Sequence, residues 1–238
     1  MALQLNTQKS TSALKLSMAK KNIAIPAMDV KFVLDVSGSF HDEHEEGLTN
    51  DFLTRVIPWA LVFDPDKQME VYTFSDGASS ANLVGSVNES NYPNYVQREI
   101  IRNVPGYGHG TDYSFVLQVI AEKKQASSSL IGKVSSWFGK KAEPVIQKRS
   151  IVFFVTDGEN SDHQATRSIL SQMNDQFIIF VGMNNDRNAS FPHLEQYAGK
   201  ENVSYVRVTD INSFNNLSDE DLYDKFLSDK LLNWINKG

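Results

Sequence analysis

Three stretches of this chain, Lys31–Val36, Ile151–Val155 and Phe177–Val181, are apolar almost without alternation. A strand with one wet face alternates polar and apolar residues, so unbroken runs rich in β-branched and aromatic residues predict strands covered on both sides. Met69–Phe74 and Val203–Val208 are further strand candidates, and residues 81–84 a short one. Helical spacing lies between them. Phe52, Leu53, Val56, Ile57 and Ala60 place a helix over Thr49–Phe63, with Pro58 predicting a kink or a restart. Asn94–Val104, Tyr113–Lys123 and Asp162–Asp175 also read as helices. This alternation dictates an α/β class: a doubly wound, mostly parallel central sheet with helices on both faces. Such sheets bind ligands outside the carboxyl ends of their strands.

Three oxygen-rich segments fall at those ends or at a helix start. Asp35-Val36-Ser37-Gly38-Ser39 leaves the first apolar run, and Thr156-Asp157-Gly158 leaves the run at 151–155. Gly110-Thr111-Asp112 follows a glycine-rich turn and opens a helical pattern. Each has a plain reading as turn chemistry, because Asp and Ser bond their own backbone and Asp-Gly is an ordinary turn signal. Asp35 and Asp157 offer two carboxylates, and Ser37, Ser39 and Thr111 three hydroxyls, with no soft ligand. Magnesium and manganese favour such a shell, so the residues point to a divalent-metal site at the sheet's edge.

Bulk properties narrow the function. A net charge of −6 argues against non-specific nucleic-acid binding, which needs a basic footprint. The absence of cysteine fits a reducing cytoplasm, and no stretch approaches the ~20 apolar residues of a membrane span. Cytoplasmic residence is the expectation. Residues 1–28 carry lysines but no acid, and the alternations Leu3/Leu5 and Leu14/Leu16/Met18 predict edge strands or an arm on the domain. The domain proper is expected over 29–238. Residues 122–149 interrupt its rhythm as a surface insertion: a serine-rich linker, then Trp137 and Phe138 among lysines. Those aromatics are expected to fold back onto the domain. The alternative is contact of 130–141 with a partner or an anionic membrane surface. The acidic start at Ser218-Asp219-Glu220-Asp221 predicts a C-terminal helix burying Leu222, Phe226, Leu227, Leu231, Leu232, Trp234 and Ile235.

The trio Asp35-x-Ser37-x-Ser39, Thr111 and Asp157 resembles the metal-ion-dependent adhesion site of von Willebrand factor A (vWA) domains, whose Rossmann-like fold has this order of elements. Val155–Asn160, Phe180-Val181-Gly182 and Leu217–Asp224 resemble the bacterial tellurium-resistance (TerF-like) branch. The resemblance implies Ser37 and Ser39 as direct ligands, Asp35 and Asp157 as charge donors, and Thr111 as a direct or water-bridged ligand. It implies Mg²⁺ or Mn²⁺ rather than Ca²⁺, and a protein partner whose carboxylate completes the shell. Phe40 stands where methionine is usual, and His109 where a glycine is frequent; neither removes a ligand.

The expected function is a metal-dependent protein-interaction module in a resistance or stress system. The competing reading is a metal-dependent phosphoester hydrolase using the same carboxylates. An aspartyl-phosphate mechanism needs a carboxylate where Ser37 stands, no nucleophile elbow is present, and no general base is committed. His109 and His163 read as solvated loop residues. His41 and His44 among four acids raise a zinc alternative, against which a solvated acidic loop is preferred. Gly106-x-Gly108-x-Gly110 follows a helical pattern rather than a strand, which weakens a phosphate-cradle reading.

Overall fold

The computed structural model describes residues 6–122 and 149–237. Six strands form one sheet: β1 (Asp29–Asp35), β2 (Met69–Phe74), β3 (Asn82–Val87), β4 (Ser150–Thr156), β5 (Gln176–Met183) and β6 (Val203–Val208). Their order is β3-β2-β1-β4-β5-β6, and every pairing is parallel except β2 with β3. The strand direction is therefore shared by β1 and β4, whose carboxyl ends carry Asp35 and Thr156 side by side.

The unbroken apolar runs have the cause inferred above. Phe32, Phe153 and Ile179 face one core and Val33, Phe154 and Ile178 the other, so alternate side chains of one strand serve opposite layers. The first layer receives α1 (Thr7–Lys20), α3 (Leu48–Phe63), α7 (Ile211–Asn215), α8 (Asp219–Phe226) and α9 (Asp229–Asn236). The second receives α4 (residues 114–122), α5 (His163–Leu170) and α6 (Pro192–Tyr197). A short α2 (His41–Glu45) joins the β1 loop to α3. Burying a Phe or Ile side chain contributes ~1.5–3 kcal/mol, which makes the central strands the rigid base from which the loops emerge.

Several local expectations are corrected. The N-terminal edge strands are a helix: Leu14 and Met18, spaced i,i+4, are fully buried, whereas Leu16 between them is 55% exposed. Asn6 caps α1 by accepting from Lys9 N at 3.1 Å, and Ser10 Oγ ties it to Asp219 Oδ2 at 2.8 Å. Residues 94–104 are not a regular helix. Asn94 and Arg102 have positive φ and bracket a single π-type turn at Val96–Ile100. The C-terminal helix is two helices, because Ser228 Oγ accepts from Leu231 N and starts α9 afresh. One segment, Leu48–Phe63, runs through Pro58 with no restart. The insertion's aromatics and the 130–141 surface lie outside the described residues.

Candidate metal centre

Asp35 is the last residue of β1 and is wholly buried. Its carboxylate accepts from Ser37 N at 2.8 Å and from Thr156 Oγ1 at 2.5 Å. The turn chemistry and the metal reading are thus not rivals, since the Asp–Ser turn is what folds Ser37 back over the strand end. Ser37 Oγ lies 3.3 Å from Ser39 Oγ, and Ser39 Oγ donates to Asp157 Oδ1 at 3.1 Å. Asp35 and Ser37 are buried, Asp157 half-buried and Ser39 exposed, so the oxygens climb from the core to solvent.

The second loop is laced to the first. Gly108 N donates to Val36 O at 2.8 Å and Gly38 N to His109 O at 2.9 Å. A Cβ on Gly38 would sit 2.9 Å from Gly108 O, so the two backbones approach as closely as glycine allows. Gly106 is held at φ +72°, where a Cβ would lie 2.6 Å from Ser80 Cβ and closer still to Ser75 Oγ. We therefore expect Gly106→Ala to cost about 2–4 kcal/mol, strain and overpacking together, in a urea unfolding titration. Thr111 follows this loop, half-buried, with its carbonyl accepting from Ser161 N at 3.1 Å. Among the described residues no hydrogen bond joins its hydroxyl to the other four predicted ligands. Asp112 instead binds loop backbone and hydroxyl, accepting from Gly77 N at 3.1 Å and from Ser161 Oγ.

Two anchors were missed from sequence. Tyr113 OH donates to Gly158 O at 2.5 Å and lies 3.2 Å from Thr156 Oγ1, bracing the third loop from beneath. Asp162, legible only as the start of the next helix, caps α4 across space by accepting from Tyr113 N at 3.0 Å and Ser114 N at 2.7 Å.

Electrostatics at this edge favour a cation. Burial pushes the Asp35 carboxyl up to about 6. Burial and then the charge of Asp35 push Asp157 up to about 7. Two carboxyls that resist ionising together lack a counter-charge, which a dication supplies. Spacing agrees with chemistry: adjacent oxygens in an octahedron at ~2.1 Å from magnesium are ~3.0 Å apart, and the two O···O separations given above are close to this. The donor set fits a hard divalent ion.

The histidines are otherwise engaged. The zinc alternative at 41–46 is not built: His44 is buried, with Nε2 donating to Asp35 O at 2.9 Å and Nδ1 2.8 Å from Thr49 Oγ1. His41 Nδ1 lies 3.2 Å from Tyr107 OH, and the segment is a short helix rather than a loop, with Asp42, Glu45 and Glu46 exposed as expected. His109 pairs with Asp76 at 3.2 Å, and His163 stacks on His193 with ring centres 3.4 Å apart. Among the described residues no three His, Cys, Asp or Glu side chains form a metal cluster, so any ion here depends on the hydroxyls.

A sequence profile described as the vWA domain found in the TerF C terminus matches residues 27–238. An uncharacterized protein YcbR of Bacillus subtilis (strain 168) is 23% identical over 222 residues, covering 91% of this chain and 82% of the relative. Among solved structures, the TFIIH p34 N-terminal domain superposes with a TM-score of 0.53 at 12% identity, over 80% of this chain and 95% of that one. Proximal thread matrix protein 1 from the mussel byssus gives a TM-score of 0.49 at 18% identity; this chain, covered to 84%, spans less than half (47%) of its length.

Proposed function

We propose that this chain, which belongs to the vWA-TerF-like family, is a divalent-metal-dependent protein-interaction module. One observation carries the reading. Ser37, Ser39 and Asp157 are linked oxygen to oxygen, and Asp35 accepts from the Ser37 N–H, at the carboxyl edge of the sheet, with both carboxyls short of counter-charge. Ser37 and Ser39 would hold the ion through their hydroxyls, Asp35 and Asp157 would neutralise it, and Thr111 would reach it directly or through water. Bound there, Mg²⁺ or Mn²⁺ supplies a Lewis-acidic position open to an incoming oxygen. The neutral hydroxyls leave that position attractive to a partner's carboxylate. The exposed side of Ser39 and the half-buried Asp157 set the direction of approach. The match to the TerF C terminus supports a role in a tellurium-resistance or stress-response system, and the proposal sets that role in the cytoplasm. With no cysteine, direct thiolate chemistry on tellurite is excluded within this chain.

Non-enzymatic action is part of the proposal. His109 is paired with Asp76 and His163 stacked on His193, and neither is hydrogen-bonded to a predicted ligand. Among the described residues no helix is long and apolar enough to cross a membrane.

Calorimetric titration of metal-stripped protein with Mg²⁺, Mn²⁺ and Ca²⁺ tests the reading. One saturable site is expected. Ser37→Ala should weaken it about tenfold, since water replaces a neutral ligand, and Asp157→Ala by more because charge is also lost. Absence of binding by all three ions to the wild type would refute the metal site. Manganese-dependent hydrolysis of a phosphate ester, abolished by Asp157→Ala, would replace the interaction module with the hydrolase.

A further inference from the structure

We propose that His44 is a positioning residue of this metal centre: its neutral imidazole holds the ligand loops in register through hydrogen bonds to Asp35 O and Thr49 Oγ1. The inference rests on the metal reading above and adds to it a residue outside the ligand motif. His44 lies nine positions beyond Asp35, on α2, and is wholly buried. A carbonyl only accepts, so the 2.9 Å contact with Asp35 O makes Nε2 the donor. Nδ1 then accepts from the Thr49 hydroxyl at 2.8 Å. Both ring nitrogens are spent, and the tautomer is fixed by its two partners.

Those partners are informative. Asp35 O is the carbonyl of the residue whose carboxylate lies deepest in the site, where β1 leaves the sheet. Thr49 is the second residue of α3, the longest helix of the described residues. The imidazole therefore ties the ligand-bearing strand end to a rigid element. Its faces meet the other loops: the ring centre of Phe40, next to Ser39, is 4.9 Å away, and that of Tyr107, in the glycine-rich loop, 6.1 Å. Tyr107 is followed by Gly108, whose N–H bonds Val36 O. One side chain thus touches Asp35, the residue after Ser39 and the loop leading to Thr111. Outer-shell partners of this kind orient ligands that a metal alone would find mobile.

The test compares Mg²⁺ affinity by calorimetry with urea midpoints for His44→Phe, His44→Gln and Thr49→Val. His44→Phe keeps an aromatic ring and loses both hydrogen bonds; affinity should fall ~10–100-fold. His44→Gln restores a donor near the position of Nε2 and should recover affinity to within about threefold of wild type. A purely structural role would lower the urea midpoint in both variants without this selective recovery. Should His44→Phe fail to fold, Thr49→Val, which frees the ring to turn, is expected to weaken binding about threefold to tenfold. Wild-type affinity in His44→Phe would overturn the proposal, as would no recovery in a folded His44→Gln or an unchanged Thr49→Val. In each of those cases the wild type still binds metal and the interaction module stands. A wild type that binds no ion removes both.

Discussion

Asp35→Asn is expected to make the metal-free protein more stable at neutral pH while abolishing its response to Mg²⁺. The wild-type carboxyl is pushed from an ordinary 3.8 to about 6, chiefly by burial, so the folded state holds a proton that the unfolded state releases. A raised carboxyl pKa contributes stability that is fully present below the unfolded value and is lost as pH climbs through the folded one. Metal-free wild type should therefore lose about 2 kcal/mol between pH 4 and pH 7 from this group. Asp157, raised to about 7, acts in the same direction. Asparagine has no charge to desolvate and removes the Asp35 part of that slope. Mg²⁺ binds the ionised form only, so its stabilisation of wild type should grow with pH and vanish in Asp35→Asn. Urea unfolding at pH 4.5 and 7.5, with and without Mg²⁺, reads both effects. Equal Mg²⁺ stabilisation in wild type and Asp35→Asn would sink the assignment of Asp35 to the metal centre.

Much of this architecture was legible because local and global signals agreed. The runs at 31–36, 151–155 and 177–181 read as two-sided strands, and their alternate residues do serve two cores. The motifs at 35–39 and 156–158 were legible as strand ends for the same reason, since each directly follows one of those runs. Misreadings arose where two periods fitted one stretch. Leu14, Leu16 and Met18 satisfy an alternation, yet only Leu14 and Met18 are buried, and packing on α3 and α8 decided for a helix. Ser228 looked like one more polar residue in a long amphipathic pattern until its hydroxyl was seen to cap α9. The supporting residues were least visible. His44 was hidden among four acids, and nothing local says that it turns inward to the strand end. Asp162 reads as the first residue of its own helix, and only tertiary structure sends its carboxylate to another.

That carboxylate has a pH dependence opposite in sign to Asp35, and its removal should be costly. Burial raises the Asp162 pKa, but hydrogen bonds from Ser114, Asn160 and Tyr113 outweigh it and hold the carboxyl below its ordinary range. It accepts from the first N–H groups of α4, from Asn160 Nδ2 at 2.5 Å and from Thr166 Oγ1 at 3.1 Å. Asp162→Ala strips the cap from α4 and removes one of the partners of Asn160, with an expected cost of about 2–3 kcal/mol near neutrality. A depressed carboxyl pKa contributes stability that is present above the unfolded value and lost as pH falls through the folded one. The gap between wild type and Asp162→Ala should therefore narrow below about pH 4, where the Asp35 contribution is at its fullest. The two groups together bound the metal-free protein's stability from the acid and the neutral side. Because Thr111 lies two residues before the capped Tyr113 N–H, and Asp157 shares its loop with Asn160, the variant should also weaken Mg²⁺ about tenfold without touching a ligand. A urea titration across pH 3–8 measures the first effect and calorimetry the second. A gap that widened on acidification would mean that the carboxylate is not the cap drawn here.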